Sequence, residues 1–265
     1  MSRFATDRYW VAIAPGLIEI AYENEALISV VTDWQSDQHE DTTPSTEHLV
    51  SLLKPHLTAK AQVHFVLSAH WSLHFVAHNR NEFRRVAERD AHAAWCFNQR
   101  FGLPIHDWTI AVDSNFTSDN VFACAIPKRL LAALHQCAEM LNVRIASISS
   151  HLITLLNAAC THLSHPTMLF AIAEPGFITF CEWRNAMPIW IQRAAYDEND
   201  VVADFIERYT KLLTRSDRPA HCYYLGADRE LAISLERFGW SSQNTELQFY
   251  PNSTLLCTTT TGARA

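Results

Sequence analysis

The sequence predicts an α/β protein in which one β-β-β-α-β unit is used twice, with extra material inserted into the first copy. Three observations predict it. A strand–turn–strand hairpin occurs near each end of the chain, over residues 10–22 with Pro15-Gly16 at the turn, and over residues 168–183 with Pro175-Gly176 at the turn. Each hairpin is followed by a third apolar, β-rich run and then by a helix signal. The order of elements over residues 9–68 recurs over 167–225, as a pattern and not as a repeated sequence.

The elements follow in order. Residues 9 to about 34 read as three strands: Ile18, Ile20 and Tyr22 alternate, as does the run 27–31, with Asn24-Glu25 as a tight turn. After a polar loop, Pro44-Ser45-Thr46-Glu47 opens a helix with a hydroxyl cap and an acid in its first turn, and Leu49, Leu52, Leu53 and Leu57 recur at helical spacing. Residues 63–68 form a buried strand and 71–77 another. Residues 79–101 predict one long helix stopped by Gly102. A strand pair is expected at 108–113 and 120–126. Pro127 then starts a helix at its first position, running to about Asn142. A strand at 143–148 leads to Ser149-Ser150, which caps a helix reaching 163. Further strands are expected near 167–173, 177–183 and 186–193, a helix over 198–213, a strand at 220–225, a helix over 228–238 and a last strand near 246–250. The acids Asp197, Glu198 and Asp200 suit a helix N-terminus, where they favour the dipole.

A doubled unit of this kind is the layout of an actin-like (ribonuclease H-like) fold, whose halves each open with a hairpin that holds nucleotide phosphates. The expected organisation is a first lobe over residues 1–68, an inserted subdomain over 69–148, a second lobe over 149–252 and a disordered tail over 253–265.

Composition narrows the function classes. The chain has 265 residues, 48% of them hydrophobic, and a net charge of −7. A negative balance without a Lys/Arg cluster argues against a nucleic-acid partner, because phosphate contacts need clustered cations. The seven Cys are dispersed singly with no C-x-x-C pair, which fits reduced thiols in a reducing compartment. Residues 1–7 lack an apolar signal core, and no apolar stretch approaches the ~20 residues that span a bilayer. A cytoplasmic protein is expected.

Residues 61–114 carry a resemblance to a known family. Gln62-Val63-His64-Phe65-Val66-Leu67-Ser68-Ala69-His70, then the helix with Phe97, Phe101 and Gly102, then Asp107-Trp108, resembles the cytoplasmic region of GspL-type secretion proteins and their PilM-like relatives in type IV pilus assembly. The Glu174-Pro175-Gly176 hairpin fits the same group, and the resemblance covers most of residues 9–250. It implies an actin-like fold, a place on the cytoplasmic side of the inner membrane and a role in organising a pilus or secretion machine. PilM-like proteins hold a short cytoplasmic peptide of a bitopic partner in a groove. Two departures stand out: Leu73-His74 replaces the Arg-Tyr pair that relatives often carry, and no membrane-spanning segment of the GspL kind is present. Any membrane link is therefore expected to come through a partner, with self-association left open.

The candidate sites are weighed on chemistry. Actin-like ATPases carry an Asp in each phosphate hairpin, and metal-assisted phosphoryl transfer depends on such carboxylates. Here Ala14 and Pro15 occupy those positions in the first hairpin, and Pro15 removes a backbone donor. In the second, Glu174 is acidic but Pro175 follows it. Gly16, Glu174, Gly176 and Gly226 are therefore assigned to a vestigial nucleotide cleft, with ATP not expected as a cofactor and no catalytic residue assigned. The rival reading is an actin-like ATPase or sugar kinase. His70, His74 and His78 recur every four residues, but a strand spreads such residues ~13 Å apart, too far for one metal, so no metal site is assigned. Ser68 and His70 do not make a triad by adjacency alone. Among the tryptophans, Trp34 is the expected partner-binding anchor, since Trp is enriched at interface centres. The expected function is a non-catalytic scaffold that binds a cytoplasmic segment of an inner-membrane partner, through an edge strand or an inter-lobe groove.

Overall fold

A computed structural model describes residues 7–22, 28–32, 43–78, 85–113, 120–162, 165–174, 177–185, 187–195, 221–225 and 241–242. Three sheets organise them. The first has five strands: β1 (Arg8–Ala14), β2 (Leu17–Tyr22), β3 (Ile28–Val31), β4 (Gln62–Leu67) and β8 (Arg144–Ser150), in the order β3-β2-β1-β4-β8. β1 and β2 form the hairpin, and β4 and β8 add in parallel. The second sheet repeats this plan: β9 (Thr167–Glu174), β10 (Phe177–Arg184), β11 (Met187–Ala195), β12 (His221–Leu225) and β13 (Ser241–Ser242), in the order β11-β10-β9-β12-β13. β9 and β10 form its hairpin, and β12 and β13 are parallel additions. The doubled unit read from the sequence is thus present, strand for strand. β13 was not anticipated, and it stands where β8 stands in the first sheet.

The third sheet is antiparallel, β5 (Leu73–His78), β7 (Asn120–Pro127) and β6 (Trp108–Val112), in the order β5-β7-β6. It is the core of the insert. The boundary expected at residue 148 falls inside β8, so the insert ends earlier than expected. Helix α3 (Lys128–Leu141) and β8 return the chain to the first sheet, because Leu130, Leu134 and Cys137 are buried with Val11, Ile13, Phe65 and the α1 (Thr46–Leu53) side chains Leu49 and Leu53.

Strand β1 shows how sequence sets layers. Val11 and Ile13 face the α1/α3 side, while Ala12 and Ala14 face the other side with Ala21 and Val66. The alternation puts bulk under the helices and small residues on the opposite face. In the second lobe α4 (His151–His162) lays Leu152, Leu155, Leu156 and Ala159 against Met168, Phe170 and Ile172. Each of the Leu, Met, Phe and Ile side chains contributes roughly 1.5–3 kcal/mol when fully buried.

Helix ends explain two differences from the sequence reading. The expected long helix from 79 begins at Val86 as α2 (Val86–Phe101): Arg85 has extended backbone, and the Glu88 carboxylate accepts its N–H at 3.2 Å, capping the start. Residues 79–84 lie outside the described residues. Pro127 is the residue before α3 and not its first helical residue; its ψ of 129° is extended. Gly102 ends α2 with φ +66°, as expected. The helices expected at 198–213 and 228–238, the strand near 246–250, the acids at 197–200 and the tail also lie outside the described residues.

Candidate functional site

The site forms where the end of β4 meets the second hairpin and the start of α4. Glu174 is the last residue of β9 and is buried, with 4% of its surface exposed. Ser68, one residue past β4, donates its hydroxyl to Glu174 Oε2 at 2.5 Å, and the Ala69 N–H donates to the same oxygen at 2.9 Å. His151, the first residue of α4, places Nδ1 3.0 Å from Oε1. The carboxylate therefore joins three segments more than a hundred residues apart at the extremes. Burial by itself would raise the Glu174 pKa. The electrostatic pull of the adjacent His151 ring and the bonds from Ser68 and Ala69 outweigh it, and hold the carboxyl down at about 2, below the ordinary 4.5. Glu174 is an anion at neutral pH with both oxygens engaged by protein groups.

The loop from Ser68 to Ser72 is knitted tightly. Ser72 Oγ donates to the Ser68 carbonyl at 3.0 Å, and the His70 N–H donates to Ser68 Oγ. From β11, Arg193 donates to the Ala69 carbonyl and lies 4.5 Å over the Phe177 ring. The edge of His70 packs on the same ring, with centroids 4.6 Å apart. Behind this loop His74 is buried, with Nε2 2.7 Å from Ser150 Oγ. Burial pushes the His74 pKa from 6.5 to about 3; Glu174 pulls it up and Arg193 adds to the fall. The imidazole is neutral, and Ser150 Oγ, which shares a hydrogen bond with Nε2, also accepts the Ile153 N–H at 3.3 Å. Cys124, beside Ser150, is pushed up to about 12 by burial and is a thiol, not a thiolate.

Of the residues singled out in the sequence, Glu174 lies at the heart of this contact. Gly16 sits in the β1–β2 turn with φ +74°, where a glycine is required, and its carbonyl accepts the Thr32 N–H at 3.0 Å. Gly176, Gly226 and Trp34 lie outside the described residues. Among the described tryptophans the exposed one is Trp95 on α2, at 58%. His70 lies in the turn before β5, apart from the strand that carries His74 and His78. Among the described residues no group of three or more His, Cys, Asp or Glu is placed to hold a metal ion.

Sequence reasoning missed Ser68 as a partner of Glu174, and missed His151 and Arg193 altogether. One signal pointed to Ser68 and His151, a polar residue directly after a strand or at a helix start; Arg193, inside β11, carried none.

Beside this contact lies an apolar cleft of about 410 Å³, between the insert and α4. β6, an edge of the third sheet among the described residues, lines one wall through Ala111 and Val112. Ile153 and Leu156 of α4 and Trp183 and Pro188 of the second hairpin region line the others.

No family model and no curated protein sequence matches the chain. Solved structures do. The PilM-PilN type IV pilus biogenesis complex is similar at a TM-score of 0.70, with 12% identity over 92% of this chain and 90% of that one. A Bacteroides thetaiotaomicron protein with an actin-like ATPase fold and unknown function is similar at 0.58, with 10% identity and 90% of each chain covered. The cytoplasmic domain of EpsL, an inner-membrane component of the Vibrio cholerae type II secretion system, is similar at 0.52, with 10% identity over 83% of this chain and 82% of that one. The chain thus has the actin-like ATPase fold. That is the fold the doubled hairpin layout and the motifs at residues 61–114 led us to expect. No helix among the described residues is long and apolar enough to cross a membrane.

Proposed function

We propose that the chain is a non-catalytic adaptor of a type IV pilus or type II secretion-like assembly, working at the cytoplasmic face of the inner membrane and holding a short cytoplasmic segment of an inner-membrane partner. The observation that carries this reading is the state of Glu174. The carboxylate available to a metal-nucleotide on the second hairpin is bound to Ser68, Ala69 and His151, and ligating magnesium would require it to give up those partners. The first hairpin offers Ala14 and Pro15. The fold's two lobes are therefore joined through the hairpin by the protein's own groups. The cleft beside β6 has the features a peptide receptor needs: a strand edge unpaired among the described residues, for backbone hydrogen bonds, and apolar walls for alternate side chains. The PilM-PilN structure, a complex, supports a partner of this kind.

The test is a calorimetric titration of the full chain with a synthetic peptide. The peptide is the cytoplasmic segment of any single-span inner-membrane protein that a neighbouring gene encodes. One-to-one micromolar binding is expected, weakened at least ~tenfold (about 1.4 kcal/mol) by Ala111→Trp, which fills the cleft from an exposed position on β6. Absence of binding, or binding unmoved by that substitution, contradicts the proposal.

A further inference from the structure

Strand β6, an edge of its sheet among the described residues, divides its side chains between two grooves. Ala111 lies opposite Cys124 in the register and turns with it toward the cleft beside α4. Trp108, Ile110 and Val112 alternate with it and turn to the other face, where they join one cluster with Ala93 and Phe97 of α2. A shallow groove of about 690 Å³ opens on that second face. Asp90, Ala94 and Asn98, spaced four apart on one stripe of α2, form one bank, and Ile105, Trp108 and Ile110 form the other. The Asn98 side-chain amide donates to the Leu103 carbonyl at 3.1 Å, which fixes the helix against the chain entering β6.

The backbone of β6 is phased to accept another strand. The Asp113 N–H donates to the Phe122 carbonyl at 2.9 Å, one step beyond the Val112–Ala123 pair of the register. Successive residues of a strand point their N–H and C=O to opposite sides. Asp113, Ala111 and Thr109 therefore bond toward β7, and Ile110 and Val112 aim their N–H and C=O outward. Trp108 agrees with this phase, since it lies opposite Pro127, which has no N–H to give. The groove also carries opposite charges at its two ends. Lys128 follows Pro127 and lies at the Trp108 end, as does Asn98 through its bond to Leu103. Asp90 lies two helical turns from Asn98, ~12 Å along the axis. Both charged residues are exposed, and among the described residues neither joins an ion pair.

We propose, resting on the adaptor reading, that the partner's segment is a strand that straddles this edge. One set of its alternate side chains is apolar and enters the cleft beside α4. The other set lies along the α2 groove, with an apolar residue over Ile105 and Ile110, an acidic residue at Lys128 and a basic residue at Asp90. Backbone pairing with Ile110 and Val112 fixes the register between the two grooves. The charges at the groove ends fix the direction in which the segment runs, because only one direction pairs both of them. The segment thus carries a period of two and a set charge order.

The test is a titration of the full chain with two capped peptides, Thr-Glu-Leu-Ile-Leu-Lys-Thr and Thr-Lys-Leu-Ile-Leu-Glu-Thr, whose charges stand ~13 Å apart in a strand. A control, Leu-Leu-Ile-Thr-Glu-Lys-Thr, has the same composition without the alternation. One of the two alternating peptides should bind at least ~tenfold more tightly than the control, and at least ~threefold more tightly than the other. N-methylation of that peptide should weaken binding at every second residue and spare those between. In the double variant Asp90→Lys with Lys128→Glu, at two exposed positions, the other charge order should become the tighter one. The N-methyl series uses the unsubstituted chain, so it decides the matter if the double variant fails to fold. The proposal is overturned if neither alternating peptide binds better than the control, if the effect of N-methylation does not alternate, or if the preferred charge order survives the double substitution. The adaptor reading outlives any of these results provided that the neighbouring-gene segment binds and Ala111→Trp weakens it.

Discussion

Glu174 ties the stability of the molecule to pH. Its carboxyl is held at about 2 against 4.5 in an ordinary setting, so the folded chain binds that proton less readily than the unfolded one. The resulting stability, roughly 3 kcal/mol for a difference of this size, is present above pH 4.5 and is lost as pH falls from 4.5 toward 2. His74 has the same sign. Its neutral form is favoured by burial, with a pKa of about 3 against 6.5, so its contribution is lost as pH falls from 6.5 toward 3. The melting temperature should therefore drop steadily from pH 7 to pH 3, and Glu174→Gln should flatten the part below 4.5. A wild-type melting temperature constant across that interval contradicts the assignment. Substitution by alanine is harsher than by glutamine, because Ser68 and His151 are left buried without the carboxylate; a loss of about 3–5 kcal/mol is expected, read by denaturant unfolding at pH 7. Glu174 itself was legible in the sequence as an acid on an apolar strand before Pro-Gly. Its partners were not, because a contact across 106 residues leaves no periodic trace.

Elements were legible wherever their ends carried local chemistry. Ser45 was read as a cap, and its Oγ accepts the His48 N–H at 3.2 Å. Gly102 was read as a stop, and it sits in the left-handed region with open space where a Cβ would go. Gly102→Ala should therefore cost about 1 kcal/mol from backbone strain alone, and Ser45→Ala about 1 kcal/mol from the lost cap. Chemical denaturation of the two variants measures both, and a neutral Gly102→Ala would mean that α2 ends differently in solution. The start of α2 was misplaced because residues 79–85 hold no Pro or Gly to mark a boundary, while the true start is set by the Glu88 carboxylate reaching back to the Arg85 N–H. Strand β13 was missed because Ser241-Ser242 has neither length nor apolar pattern; its pairing with Tyr223 and Tyr224 is a tertiary fact.

At the scale of the whole molecule, the doubled plan was the most legible feature and the insert boundary among the least. Hairpins announce themselves through Pro-Gly turns between apolar runs, and both appear where they were read. The insert boundary depends on which sheet a strand joins. β8 reads as a plain apolar strand, and only its parallel pairing with β4 assigns it to the first lobe. The same limit applies to the site. The loss of the anionic residue at Ala14-Pro15 could be read directly, but the engagement of Glu174 by Ser68, Ala69 and His151 required the two lobes to be brought together. The adaptor reading rests on that engagement. Its most direct test is a titration of the full chain with Mg-ATP alongside an assay of phosphate release. The prediction is no turnover and no magnesium-dependent binding. Magnesium-dependent micromolar binding that is abolished by Gly16→Val, or steady ATP turnover lost in Glu174→Gln, would contradict it.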